Sequence, residues 1–126
     1  MNFYSGEQVG TTAPVGQGDR KDISGKLEFH YLSWPVLEEV GKVFATSKQV
    51  HGNCDSWKES GPDSIWVYWN ALFRHMFKFA VGSDLYEEER TTFDGKKVIV
   101  TWRHSAQIIW NAHAICYKSM QKEGKL

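Results

Sequence analysis

The sequence predicts an all-α chain carried by three long helices and short connecting pieces. Residues 98–120, VIVTWRHSAQIIWNAHAICYKSM, contain no Gly or Pro and are charged only at Arg103 and Lys118, the pattern of a mostly buried helix. Residues 62–81 open on Pro-Asp-Ser, run through a strongly apolar stretch and stop at Gly82, which reads as a second helix with both ends marked. No internal repeat and no strand–helix alternation is present to support a parallel sheet.

Taken in order, residues 1–25 are rich in Gly, Ser, Thr and Gln and read as a flexible N-terminal arm, with Phe3 and Tyr4 able to dock on a neighbour. Residues 26–34, KLEFHYLSW, are an apolar lead-in. Pro35 suits a first helical turn, so a helix is expected from Val36 to about His51, closed by Gly52, with Leu37, Val40, Phe44 and Ser47 facing inward. Residues 51–61 form a loop holding one large aromatic, Trp57. The second helix should bury Ile65, Trp69, Leu72, Met76 and Phe79, with His75 also inward. Residues 83–97 are polar, and Asp94-Gly95 marks a turn or small hairpin. The third helix ends near Lys122, leaving residues 123–126 as a short basic tail and residues 26–122 as one helical domain.

Composition narrows the function. Fifteen basic and fifteen acidic residues give a net charge of zero, so no basic field points to a nucleic-acid polymer. Neither a membrane-length apolar run nor a basic-then-apolar leader is present, which suggests a cytoplasmic protein. Cys54 and Cys116 stand in no metal-ligand spacing and read as free thiols. Glycine-rich phosphate loops, HExxH and GxSxG are absent.

In the third stretch, His104, Gln107 and Asn111 fall three and four residues apart and share one face. Burying such a line costs roughly 1–3 kcal/mol per unpaired group, so it is either a satisfied internal network or part of a site. Glu38 and Glu39 form an adjacent carboxylate pair of the kind a hard divalent cation uses, or a solvated acidic pair favoured by the helix dipole. Asp84 follows a helix end, where its charge meets no favourable dipole; it either meets another partner, a cation or Arg103, or has a simple capping or surface role.

The order of LEEVGKVF (residues 37–44), His51-Gly52 with Trp57, ALFRHMFKFAVGSD (residues 71–84) and HSAQIIWNA (residues 104–112) resembles the phage dATP/dGTP diphosphohydrolase-like family, related to the MazG-type all-α nucleotide pyrophosphohydrolases. The resemblance implies a MazG-like helical bundle and Mg2+-dependent (or Mn2+-dependent) cleavage of a nucleoside triphosphate, purine deoxynucleotides above all, between its α- and β-phosphates. By position it implies Glu38, Glu39, His75 and His104 as catalytic, Glu38, Glu39 and Asp84 as metal ligands, and Arg74, Gln107, Asn111 and Trp57 as substrate-binding. Four positions depart from the pattern: Gln107 replaces a second His, Lys42 a third acidic residue, Val50 a Lys and Ser56 an Asn. A helical binding or assembly protein that kept the fold and lost carboxylates is therefore the alternative. Wide apolar arcs on the helices predict a homo-oligomer, with the site near a subunit boundary.

Overall fold

The computed structural model describes residues 25–126, so the expected arm and its Phe3 and Tyr4 lie outside the described residues. Two compact units are present, one ending at Ser33 and the other Trp34–Leu126. Of the first, the described part is a short 3-10 turn, Phe29–Tyr31, closed by the Leu32 N–H donating to the Phe29 carbonyl at 3.0 Å.

The second unit holds helix α1 (Trp34–His51), helix α2 (Ile65–Val81), strands β1 (Leu85–Thr91) and β2 (Lys97–Arg103), and helix α3 (His104–Lys122). Two short 3-10 turns, Ser56–Lys58 and Pro62–Ser64, connect α1 to α2. The chain is mostly helical, as expected, but not all-α.

The correction falls on residues 97–103. A single helix was expected from Val98 onward, yet KVIVTWR pairs antiparallel with LYEEERT, Leu85 opposite Arg103 and Thr91 opposite Lys97. The physical reason lies in the side chains. Val98, Ile99, Val100 and Thr101 are β-branched, stiff at χ1 and suited to a pleated surface. Burial alternates with period two: Val100 and Trp102 are buried while Ile99 and Thr101 are exposed. The turn at Asp94-Gly95 forms as expected. Gly95 adopts φ +87°, its N–H donates to the Thr92 carbonyl, and the Thr92 N–H donates to the Lys96 carbonyl. This is a type I turn followed by a left-handed residue, a conformation that favours glycine.

Gly52 ends α1 as predicted, with φ +86° and its N–H on the Lys48 carbonyl at 2.8 Å. A Cβ there would also lie 3.2 Å from the Phe93 ring, so the hairpin tip sits against this helix end. The inward face of α1 is rotated from the expected one. Val43 and Val50 are the buried residues, and Leu37 is exposed. Val43, Val100, Trp102 and Ala106 form the core, with Tyr86, Val98 and Trp110 packed around them. The hairpin thus fills space that a third full-length helix was expected to occupy.

α2 departs further. Only His75 is buried on it, while Met76 and Phe79, expected in the core, are exposed. Its apolar surface runs most of the way round, more than α3 and α1 together cover. Among the described residues no helix is long and apolar enough to cross a membrane, and both cysteines are free.

Candidate functional site

The α2–α3 pair builds the site. His75, Arg74 and Ala71 from α2 face Gln107, Trp110 and Asn111 from α3, and Val43 and Ser47 of α1 with Trp102 of β2 complete a cleft of ≈ 190 Å³. Four residues singled out in the sequence, Arg74, His75, Gln107 and Asn111, therefore line one cavity. His104 joins them through His75, the two Nδ1 atoms lying 3.0 Å apart. The inward line of His104, Gln107 and Asn111 is as expected: His104 and Asn111 are buried and Gln107 half-buried.

Each residue of this line has a hydrogen-bond partner. Two bare imidazole nitrogens repel, so one of the two Nδ1 atoms must carry a proton and the other accept it. Gln107 donates from Nε2 to the Tyr86 hydroxyl at 2.8 Å and lines the cleft beside His75. Asn111 donates from Nδ2 to the Gln107 carbonyl at 2.8 Å. The Tyr86 ring stacks on His104, centroids 4.1 Å apart, which fixes the imidazole plane.

The electrostatics keep both histidines neutral. Burial, then the charge of Arg74 and the neighbouring His104 and Lys78, bring His75 down to about 4. Burial, then Lys78, also lowers His104, opposed by Asp84. Arg74 and Lys78 lie one turn apart on α2, and among the described residues neither has an ion-pair partner. Two unneutralised cations beside a neutral donor–acceptor pair suit an anion.

A second cavity of ≈ 320 Å³ lies across Val43 and Trp102, which line both. Glu39, Lys42 and Arg103 give it its charge. Arg103 reaches Asp84 Oδ2 at 2.8 Å and Glu39 Oε2 at 3.5 Å, and Lys42 holds the other Glu39 oxygen at 2.9 Å. Asp84 further accepts from the Ser105 N–H at 2.7 Å and the Ser105 hydroxyl at 2.8 Å. It thereby satisfies a first-turn N–H of α3 and places its negative charge at the positive end of that helix. Burial alone would raise Asp84, but the Ser105 bonds and Arg103 outweigh it and hold the carboxyl below its ordinary value. The hydrogen bond from Lys42 lowers Glu39 likewise, against burial.

This geometry bears on a divalent cation. Among the described residues no three His, Cys, Asp or Glu side chains converge as a metal group. Glu39 and Asp84 come together, but around the Arg103 guanidinium, and Glu38 is exposed and apart from their bonds. The residues present do not fit a resident Mg2+ ion.

Trp57 stands one ring away from the cleft. Its indole N–H donates to the Cys54 carbonyl at 3.1 Å, and its ring packs on Tyr117 at 4.8 Å and Trp110 at 5.5 Å. Sequence reasoning passed over Ser47, Trp102 and Tyr86 as site residues. Ser47 lies four residues beyond Val43 on the same face of α1, a signal that was available. Trp102 and Tyr86 depend on the hairpin.

The family model described as dATP/dGTP diphosphohydrolase, N-terminal, matches residues 16–125, a span that includes every side chain of both cavities. No curated protein and no solved structure matches the chain. With a match over most of its length, the chain belongs to the dATP/dGTP diphosphohydrolase N-terminal family.

Proposed function

We propose that the protein is a nucleoside triphosphate pyrophosphohydrolase acting on purine deoxynucleotides in the cytoplasm, within phage nucleotide metabolism. The observation that carries this reading is the convergence of Arg74, His75, Gln107 and Asn111 in one cleft, with His104 bonded behind them. Family membership supports the substrate class. Water attacks the α-phosphorus, a new P–O bond forms, the bond to the bridging oxygen of the β-phosphate breaks, and pyrophosphate leaves with the bond electrons. Arg74 and Lys78 offset phosphate charge. The neutral His75–His104 pair offers one nitrogen donor and one acceptor to phosphate oxygens or the attacking water, and the Tyr86 ring stacked on His104 holds that imidazole in orientation.

The substrate in this reading is the Mg2+ or Mn2+ complex of the triphosphate, because such an ion is commonly held by substrate phosphates plus one or two carboxylates. Glu38, which has no ion-pair partner among the described residues, and Glu39, which lines the second cavity, are the residues available to it. Pyrophosphate release from a panel of purine and pyrimidine triphosphates, with each metal, tests the proposal. Absence of turnover together with absence of a nucleotide-dependent rise in Tm would transfer the assignment to a helical binding or assembly protein.

Homo-oligomerisation is part of the same proposal. Trp66, Phe73, Phe77 and Val81 follow one another along α2 and are all more than half exposed, and Met76, Phe79, Ala80 and Ile108 line a shallow apolar hollow beside them. Contiguous apolar surface of this kind marks an association surface. A second copy, packed about a two-fold axis, covers it without any charge to neutralise.

A further inference from the structure

We propose that the Arg103 guanidinium is a built-in cation that takes the place of a resident divalent ion between Glu39 and Asp84, so that the metal of the reaction enters only with the triphosphate. What the ion does when it arrives rests on the pyrophosphohydrolase reading; its exclusion from the free protein does not.

Charge comes first. Two carboxylates from different parts of the chain, Glu39 on α1 and Asp84 between α2 and β1, meet on one residue. Arg103 donates from Nη1 to Asp84 Oδ2 at 2.8 Å and from Nε to Glu39 Oε2 at 3.5 Å. Lys42 adds a second positive charge on Glu39 Oε1 at 2.9 Å. These two negative and two positive charges cancel, which leaves no surplus to draw a divalent ion out of water. An ion that dehydrates as reluctantly as Mg2+ needs such a surplus.

The oxygens agree. Glu39 Oε1 accepts from Lys42 and Oε2 from Arg103, while Asp84 Oδ1 accepts from the Ser105 N–H and Oδ2 from both the Ser105 hydroxyl and Arg103. All four are committed to a donor, and an ion placed between them brings its charge against the guanidinium.

The main chain holds this arrangement in place. Leu85 lies opposite Arg103 in the hairpin, and the His104 N–H donates to the Asp84 carbonyl at 2.8 Å, so the residues carrying the two charges are fixed side by side. A guanidinium is planar, permanently charged and presents its donors as a rigid fork, which lets it bridge two carboxylates. It thereby ties α1 to the start of the hairpin, the task of a metal ligated by the same two side chains. Shortening Arg103 would join its volume to the ≈ 320 Å³ cavity that it lines with Glu39 and Lys42, room for an ion that keeps several waters.

The test is metal binding to the intact protein without nucleotide, read as loss of the free Mn2+ signal in electron paramagnetic resonance. Wild type is expected to leave equimolar Mn2+ free. Arg103→Gln, which removes the charge, is expected to bind one Mn2+ about tenfold or more tightly than wild type, because a like charge has left the ion's side. Asp84→Asn in that background should abolish the gain. Arg103→Gln should also melt lower than wild type and recover with Mn2+, whereas Arg103→Lys, which keeps the charge, should gain no binding. Saturable one-site Mn2+ binding to wild type that Asp84→Asn removes would overturn the proposal. So would an Arg103→Gln chain that Mn2+ neither binds nor helps to fold. The expected Mn2+ pattern without any pyrophosphate release would leave Arg103 as the built-in cation while the catalytic reading fails.

Discussion

His75 and His104, 29 positions apart, meet Nδ1 to Nδ1 at 3.0 Å in the interior between α2 and α3. No carboxylate bonds either ring, and the cations nearest to them sit on α2. The pair is thus neutral because burial and Arg74 and Lys78 make a charged imidazole unfavourable, with Asp84 alone opposing at His104.

This has a consequence for stability. His75 ionises near 4 in the folded protein and near its ordinary 6.5 when unfolded. Between those values the unfolded chain binds more protons, so stability rises with pH across this window and is lost as pH falls through it. Allowing for solvent screening, the loss is on the order of 1–2 kcal/mol. Urea unfolding at pH 4.5, 5.5 and 7 should show it, and His75→Gln should flatten the dependence. An unchanged slope in that variant would mean that other groups dominate.

Asp84→Ala should act as the loss of a helix cap. Removing a cap typically costs about 0.5–2 kcal/mol, and here Arg103 loses its closest partner as well. A fall in Tm of several degrees is expected, equal with and without Mg2+. A Tm that drops only in the presence of Mg2+ would instead identify Asp84 as a metal ligand.

Glu38→Gln and Glu39→Gln should each sharply lower pyrophosphate release while leaving the helical circular dichroism signal unchanged. They differ in mechanism. Glu38 loses a free charge, whereas Glu39→Gln also removes the counter-charge from Lys42 and Arg103. Titrating Mg2+ and Mn2+ against turnover checks both, and wild-type activity in Glu38→Gln would exclude that carboxylate from metal-nucleotide binding.

Phe77→Asp or Val81→Asp, on the exposed face of α2, should shift the sedimenting species toward the 14.5 kDa monomer. Burying an unpaired carboxylate in an apolar interface opposes association strongly enough to dissociate a micromolar oligomer. Wild-type protein that already sediments as a monomer would remove the oligomer from the proposal.

The sequence by itself determined the punctuation of α1 and α2 and the inward polar face of α3. Pro35, Gly52, Pro62 and Gly82 act through local backbone geometry, which neighbouring residues alone dictate. The line of His104, Gln107 and Asn111 was legible because helical spacing places those residues on one face whatever packs against them. The family's order of motifs, from residues 37–44 to residues 104–112, was readable for the same reason: it is a property of the chain and not of its packing.

Tertiary structure decided the rest. The β-branched run of residues 98–101 already favours a strand, and pairing with β1, Tyr86 opposite Trp102 and Glu88 accepting from the Trp102 indole, fixes its register and the face it buries. Whether Asp84 meets a metal or Arg103 depends on that hairpin, because Leu85 pairs with Arg103 and brings the two charges to 2.8 Å. The rotation of α1 that buries Val43 and leaves Leu37 exposed is likewise set by what packs against it. Local signals set where α1 and α2 stop, but the face of α1 that turns inward, and the partner each charge finds, are decided by contacts far apart in sequence.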